Sequence, residues 1–262
     1  MGHQRLGWIP TTRKWKAVVD GVMGNGGLAS ADIDRIASLT LDAASPALMK
    51  DLGDPALIHS FYLLTQIALA AREPDWRGRL ARAGISLPGD ASLFDLTAEF
   101  HAAVDRHVRL AGRSSDLGEM AQQAAGDALA ALSGDKATTL FGSGGEHLQH
   151  AIRTLSTKAG FSKLGQAFFG RLLSRFLGFY LSRITARAAG TARAPSVSDV
   201  SRFNEALQTH CQESARIVRD FCGQWYSKRE YLEGIDPRNT SDFMAVAVEK
   251  LVAELGQQRL EL

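Results

Sequence analysis

Helix start and stop signals recur along the whole chain, and no run of β-branched or aromatic residues alternates with a period of two. This punctuation restricts the fold more than any other feature and predicts an all-α protein. Alanine and leucine, both strong helix formers, fill the segments between the signals. Thr12 to Val22 reads as a first helix, and Ser30 can cap a second that runs to about Ser45, ahead of Pro46. Asp54-Pro55 sets a proline in the first turn of Ala56 to Arg72, an almost unbroken apolar segment suited to the centre of a core. Pro74 opens a short helix to Gly84. Ser92 and Asp95 have capping-box spacing for a helix reaching Gly112, and Asp116 with Glu119 repeats that spacing for Leu117 to Leu132. Further helices are expected at 146–158, 161–189, 199–222 and 241–257. About nine helices with short connections and no solenoid repeat predict a compact multi-helix bundle. The glycine-rich stretch 142–145 parts two compositions, an acidic N-terminal lobe (1–141) and a C-terminal lobe (146–262) with a basic central helix. The two are expected either as packed lobes or as one continuous domain.

With 262 residues, 45% of them hydrophobic and 22% charged, the chain can bury a large core, which excludes a disordered or fibrous protein. Its two cysteines, Cys211 and Cys222, fall within the expected helix 199–222. On one continuous helix they would face the same way about 16 Å apart, too far for a disulfide. Two unbridged thiols and the lack of an apolar leader near the N-terminus predict a cytoplasmic protein. The Met1-Gly2 start departs from the myristoylation pattern at Leu6.

Charge is unevenly distributed. Residues 147–195 carry eight basic and no acidic side chains, whereas residues 21–146 carry sixteen acidic and ten basic ones. The basic members are Arg153, Lys158, Lys163, Arg171, Arg175, Arg183, Arg187 and Arg193, interleaved with six aromatic residues. On a helical wheel the apolar residues from Leu164 to Ile184 cover most of the circumference and leave a strip of Arg171, Ser174, Arg175, Gly178 and Ser182. A membrane span is excluded, because each central arginine would cost about 2.5–3.5 kcal/mol in the bilayer. Three readings remain open for the block. It can be a core helix whose arginines pair with the acidic segments, a groove for nucleic-acid phosphates, or an interface for a protein or an anionic surface.

Two smaller basic and aromatic clusters stand apart, Trp8 with Arg13 to Lys16 and Trp225, Tyr226, Lys228, Arg229 and Tyr231. Their rings can stack on a ligand or staple the segments to the core. His147 and His150 share a helix face beside Glu146, which gives two weak metal-ligand candidates that lack a third ligand. His101 and Asp105 have the spacing of a general-base pair, with no nucleophile nearby. Gly142 to Gly145 lacks the lysine and hydroxyl of a phosphate-binding loop. Asn239-Thr240-Ser241 matches a glycosylation sequon, which has no role in a reducing compartment. No catalytic constellation is complete, so neither a catalytic residue nor a cofactor is expected.

The text around Phe203, His210-Cys211, Ile217-Val218 and Trp225 to Lys228 resembles uncharacterised all-helical bacterial proteins of defence-type gene clusters, over about 80 residues. The resemblance implies an accessory subunit and carries over no catalytic residue. The expectation is a non-enzymatic binding or scaffold subunit with a protein partner. Its contact residues would be Arg171, Arg175, Arg183 and Arg187, then Trp225, Tyr226, Lys228 and Arg229, with nucleic acid as the alternative ligand.

Overall fold

A short polar side chain closes the first turn of nearly every helix, satisfying backbone N–H groups that the helix itself leaves free. The computed structural model describes residues 11–24, 26–137, 145–232 and 234–257. Thr12 caps α1 (Arg13–Met23), Asp32 caps α2 (Ile33–Lys50), Asp54 caps α3 (Pro55–Ala70), and Asp75 caps α4 (Trp76–Arg82). Ser92 and Asp95 form a reciprocal capping box at α5 (Leu93–Ala111), and Gly112 ends that helix at φ +67°. Ser115 Oγ accepts from Gly118 N at the start of α6 (Asp116–Ala137). There follow α7 (Gly145–Arg153), the 31-residue α8 (Lys158–Ala188) capped by Thr157, α9 (Val197–Ser214) capped by Ser196 and Asp199, α10 (Arg219–Leu232) and α11 (Pro237–Gln257). Among the described residues there are eleven α-helices and no strand, only isolated bridges around 189–194. The bundle is all-α, and no described helix is long and apolar enough to cross a membrane.

Two helix boundaries differ from expectation for reasons visible in the side chains. Pro46 does not stop α2, which continues to Lys50. A proline has no N–H, so it releases the carbonyl of Asp42 one turn back. Lys14 Nζ lies 3.5 Å from that oxygen and 2.8 Å from Asp42 Oδ1, so a cation from α1 takes the place of the missing donor. The expected helix 199–222 is two helices, because the chain tightens into a 3₁₀ turn over Ala215–Val218. Ser214 Oγ donates back to the His210 carbonyl at 2.9 Å, a side-chain bond that competes with the regular ladder where α9 ends. Cys211 and Cys222 therefore lie on different helices, and both are buried and free.

α8 is the axis of the bundle, roughly 46 Å long at ~1.5 Å per residue, and is contacted by α6, α9, α10, α1 and α2. Its inner faces contribute Phe161, Phe168, Phe169, Phe176 and the leucines 164, 172, 173, 177 and 181, all buried. Phe61 of α3 stands among these rings, with centroids 5.1 Å from Phe168, 5.5 Å from Phe169 and 5.3 Å from Phe243 of α11. Edge and offset ring contacts at these distances add to the burial of each ring, itself worth about 1.5–3 kcal/mol. Gly165 permits the close approach of α10, since a Cβ there would fall 2.4 Å from Cys222 Sγ. Residues from both sides of the 142–145 stretch share this one core.

Candidate functional site

The open side of α8 comprises Arg171, Ser174, Arg175, Gly178 and Ser182, each half-buried or exposed, while Leu172, Leu173, Phe176, Leu177 and Leu181 between them are buried. The N-terminal half of this strip is answered from within the molecule. Arg175 pairs with Asp127 of α6 and donates to Gln123 Oε1 at 2.9 Å. Arg171 is half-buried and donates to the carbonyl of Ala167 at 3.2 Å. Burial pulls its guanidinium down from its ordinary range, with Asp127 opposing. The basic residues of α8 beyond this strip are different. The Arg183 guanidinium lies 5.7 Å over the Phe179 ring, and its buried Nη1 has no hydrogen-bond partner among the described residues. Arg187 is exposed. Arg193, the last basic residue of the block, is buried and structural: it donates to the carbonyls of Val22 at 2.6 Å, Gly21 at 3.3 Å and Gly26, tying the turn after α8 to the end of α1.

The fold brings part of the N-terminal basic cluster beside the C-terminal half of α8. Trp15 is buried with its ring 4.9 Å from that of Tyr180, so α1 lies along the C-terminal half of α8. Arg13 and Lys16 on α1 are exposed, and Lys14 is held by Asp42. Trp8 lies outside the described residues. Arg13, Lys16, Arg183 and Arg187 thus come from segments some 170 residues apart in the chain and end on two adjacent helices.

The second cluster turns mostly inward. Tyr226 is fully buried and stacks on Phe161 at 4.0 Å, and Trp225 is half-buried and stacks on Phe243 at 4.3 Å. Tyr226 is thus a core residue, because its ring completes the α8–α10 seam. Lys228 is exposed and Arg229 half-buried. His147 and His150 are both exposed on α7, and the intervening Gln149 docks that helix by donating to the carbonyls of Ala71 and Glu73. Among the described residues no three His, Cys, Asp or Glu side chains are grouped to hold a metal. Asp105 accepts from Gln122 at 2.8 Å, and His101, packed against Gly126, has its pKa lowered by burial with Asp105 and Asp127 opposing. Residues 142–144 of the glycine-rich stretch lie outside the described residues. Asn239 of the sequon is buried and donates to the Gly234 carbonyl at 3.1 Å, so its amide is committed to the start of α11.

Three arrangements had no local sequence signal. His59 of α3 and His107 of α5 stack face to face, centroids 3.9 Å apart, and burial with His107 alongside pushes His59 down to about 4. A cleft of about 890 Å³ opens between α2, α9 and α11, where His210 Nδ1 lies 2.9 Å from Asp34 Oδ1 and its Nε2 is buried without a partner among the described residues. A second cleft of about 360 Å³ lies at the end of α3, walled by Arg72, Arg79, Glu230, Gln66 and Ile235. Fold and site together define an all-helical bundle with basic residues along one side of α8 and polar clefts between its helices. Compared with known proteins, the chain matches no family model, no curated protein and no solved structure.

Proposed function

We propose that this chain is a non-enzymatic binding subunit of a larger bacterial assembly, engaging an acidic protein surface through α1 and the C-terminal half of α8. The observation that carries the reading is Arg183. Its half-buried guanidinium is paired with no carboxylate among the described residues, and a partner carboxylate meeting its accessible side would form a charge-assisted bond that the chain itself does not supply. Exposed Arg187 on the same helix, and exposed Arg13 and Lys16 on the adjacent α1, favour an anionic partner. Phe179, half-buried beneath the guanidinium, supplies the apolar backing that protein interfaces share. The resemblance of the C-terminal third to uncharacterised bacterial proteins of defence-type gene clusters supports the assembly. A nucleic-acid groove along the whole block has less support, since Arg171, Arg175 and Arg193 are engaged by Ala167, Asp127 with Gln123, and backbone carbonyls respectively.

The test uses Arg183→Glu/Arg187→Glu. From the native host the wild-type chain should co-purify with a stoichiometric partner that the double variant loses, with helical content and melting temperature unchanged. Binding to short duplex and single-stranded DNA or RNA should be weak at moderate salt. If instead the wild type binds duplex tightly with a log affinity against log salt slope near −3.6, the value for about four neutralised phosphates, the protein-partner reading is wrong.

A further inference from the structure

The cleft at the end of α3 is built from residues far apart in sequence. Arg72 and Glu73 follow α3, Arg79 lies on α4, and Glu230 lies on α10. Arg72 pairs with Glu230 and also donates to the carbonyl of Ser156, and Arg79 pairs with Glu73. These side chains are 32–39% exposed, against 41–58% for the ordinary surface pair Lys14–Asp42 and 53–64% for Arg216–Glu213. The two pairs thus stand in the wall of a recess. Its rim is fixed: Gly234, at φ +80°, donates to the Arg229 carbonyl at 2.8 Å and accepts from Asn239 Nδ2. Leu69 and Ile235 supply an apolar wall.

Beneath the pairs lies an orphan. Tyr226 is fully buried, Arg72 Cζ is 5.7 Å from its ring centre, and its hydroxyl has no hydrogen-bond partner among the described residues. Burial raises the phenol's pKa, and the charges it feels are those of Arg72, Glu230 and Arg79, three residues of the cleft. As a stability device this arrangement is poor, because partly exposed pairs contribute little and a buried hydroxyl without a partner is destabilising. Phenylalanine would serve the core better.

We propose that this cleft binds a small zwitterion, an α-amino acid with an apolar side chain. Two guanidinium groups and two carboxylates face the same space, so a ligand of either net charge would meet a like charge as well as an opposite one. A zwitterion meets both favourably, its carboxylate against Arg72 and Arg79 and its ammonium against Glu73 and Glu230, and its side chain lies on Leu69 and Ile235. The volume of about 360 Å³ lies at the small end of the range for small-molecule sites. The site is separate from the α1–α8 face and does not depend on that reading.

Calorimetric titration of the intact chain with L-leucine, 4-methylpentanoate and 3-methylbutylamine tests it, because the two analogues each lack one charge. Leucine should bind with a Kd of about 1 mM or tighter and raise the melting temperature, with each analogue at least about tenfold weaker, the loss expected for one charge-assisted contact. Arg79→Gln should weaken leucine binding at least about tenfold with its circular dichroism unchanged. Glu230→Gln should weaken leucine binding at least about tenfold while leaving 4-methylpentanoate, which has no ammonium group, unaffected or tighter, a split that a purely structural carboxylate would not show. Equal binding of 4-methylpentanoate, no binding of leucine at concentrations well above that Kd, or unchanged binding in Arg79→Gln would each overturn the proposal.

Discussion

Lowering the pH from 7.5 to 4.5 should remove about 2.5 kcal/mol of stability through one histidine. His59 lies between α3 and α5 with its ring flat on that of His107, and burial is the larger of the two effects that bring its pKa from 6.5 to about 4. The folded pKa is depressed, so near pH 5 the unfolded chain binds a proton that the folded chain refuses. The contribution is whole above pH 6.5, declines as the pH falls toward 4, and is fully lost below that. Two and a half units at ~1.36 kcal/mol each give about 3 kcal/mol over the full window, most of it gone by pH 4.5. Against a total of 5–15 kcal/mol that is a large share. His101, also lowered by burial, acts in the same direction, whereas Asp95 and Asp199, held below 3.8 by their Ser92 and Ser196 bonds, lose their contribution only in stronger acid. Urea unfolding of wild type and His59→Gln at pH 7.5, 6 and 4.5 isolates the term. The two stability curves should converge by about 2.5 kcal/mol as the pH falls, with m unchanged. Parallel curves across that window would refute the assignment to His59.

Two further substitutions probe the packing. Arg193→Met removes the donors to Val22, Gly21 and Gly26 and should destabilise by about 3 kcal/mol in urea unfolding, whereas Arg187→Met, at an exposed site, should change stability by less than about 0.5 kcal/mol. Gly165→Ala places a methyl 2.4 Å from Cys222 Sγ and 2.6 Å from its Cβ and should lower stability by about 1–3 kcal/mol; Cys222→Gly in the same chain removes both atoms and should offset part of that loss, a coupling that a double-mutant cycle measures.

The bundle was legible because its signals are local: a capping aspartate or serine and the apolar segment after it sit within one turn of each other, as at Asp54 and Ser92. Where a boundary depended on a partner from elsewhere, sequence reasoning missed it. Pro46 looks like a stop until Lys14 is seen beside the carbonyl it frees. The narrow strip on α8 followed from helical periodicity alone, yet nothing local showed that Asp127 answers Arg175 while Arg183 goes unanswered. Trp225 and Tyr226 carry the composition of a surface cluster, but Tyr226 points into the α8–α10 seam and Trp225 stacks on Phe243 of α11. The cleft at the end of α3 joins Arg72 to Glu230 across 158 residues, a separation over which no spacing rule operates.

The contact of Gly165 with Cys222 has a bearing on how the molecule can be watched. Both thiols are buried and their pKa values raised, Cys211 to about 12, so a reagent selective for thiolate finds no target in the closed bundle. Access to Cys222 requires α10 to leave α8, the seam around which the other helices are arranged. The rate at which Cys222 labels therefore counts excursions of α10 from the axis itself, and fraying at the ends of the bundle stays invisible to it.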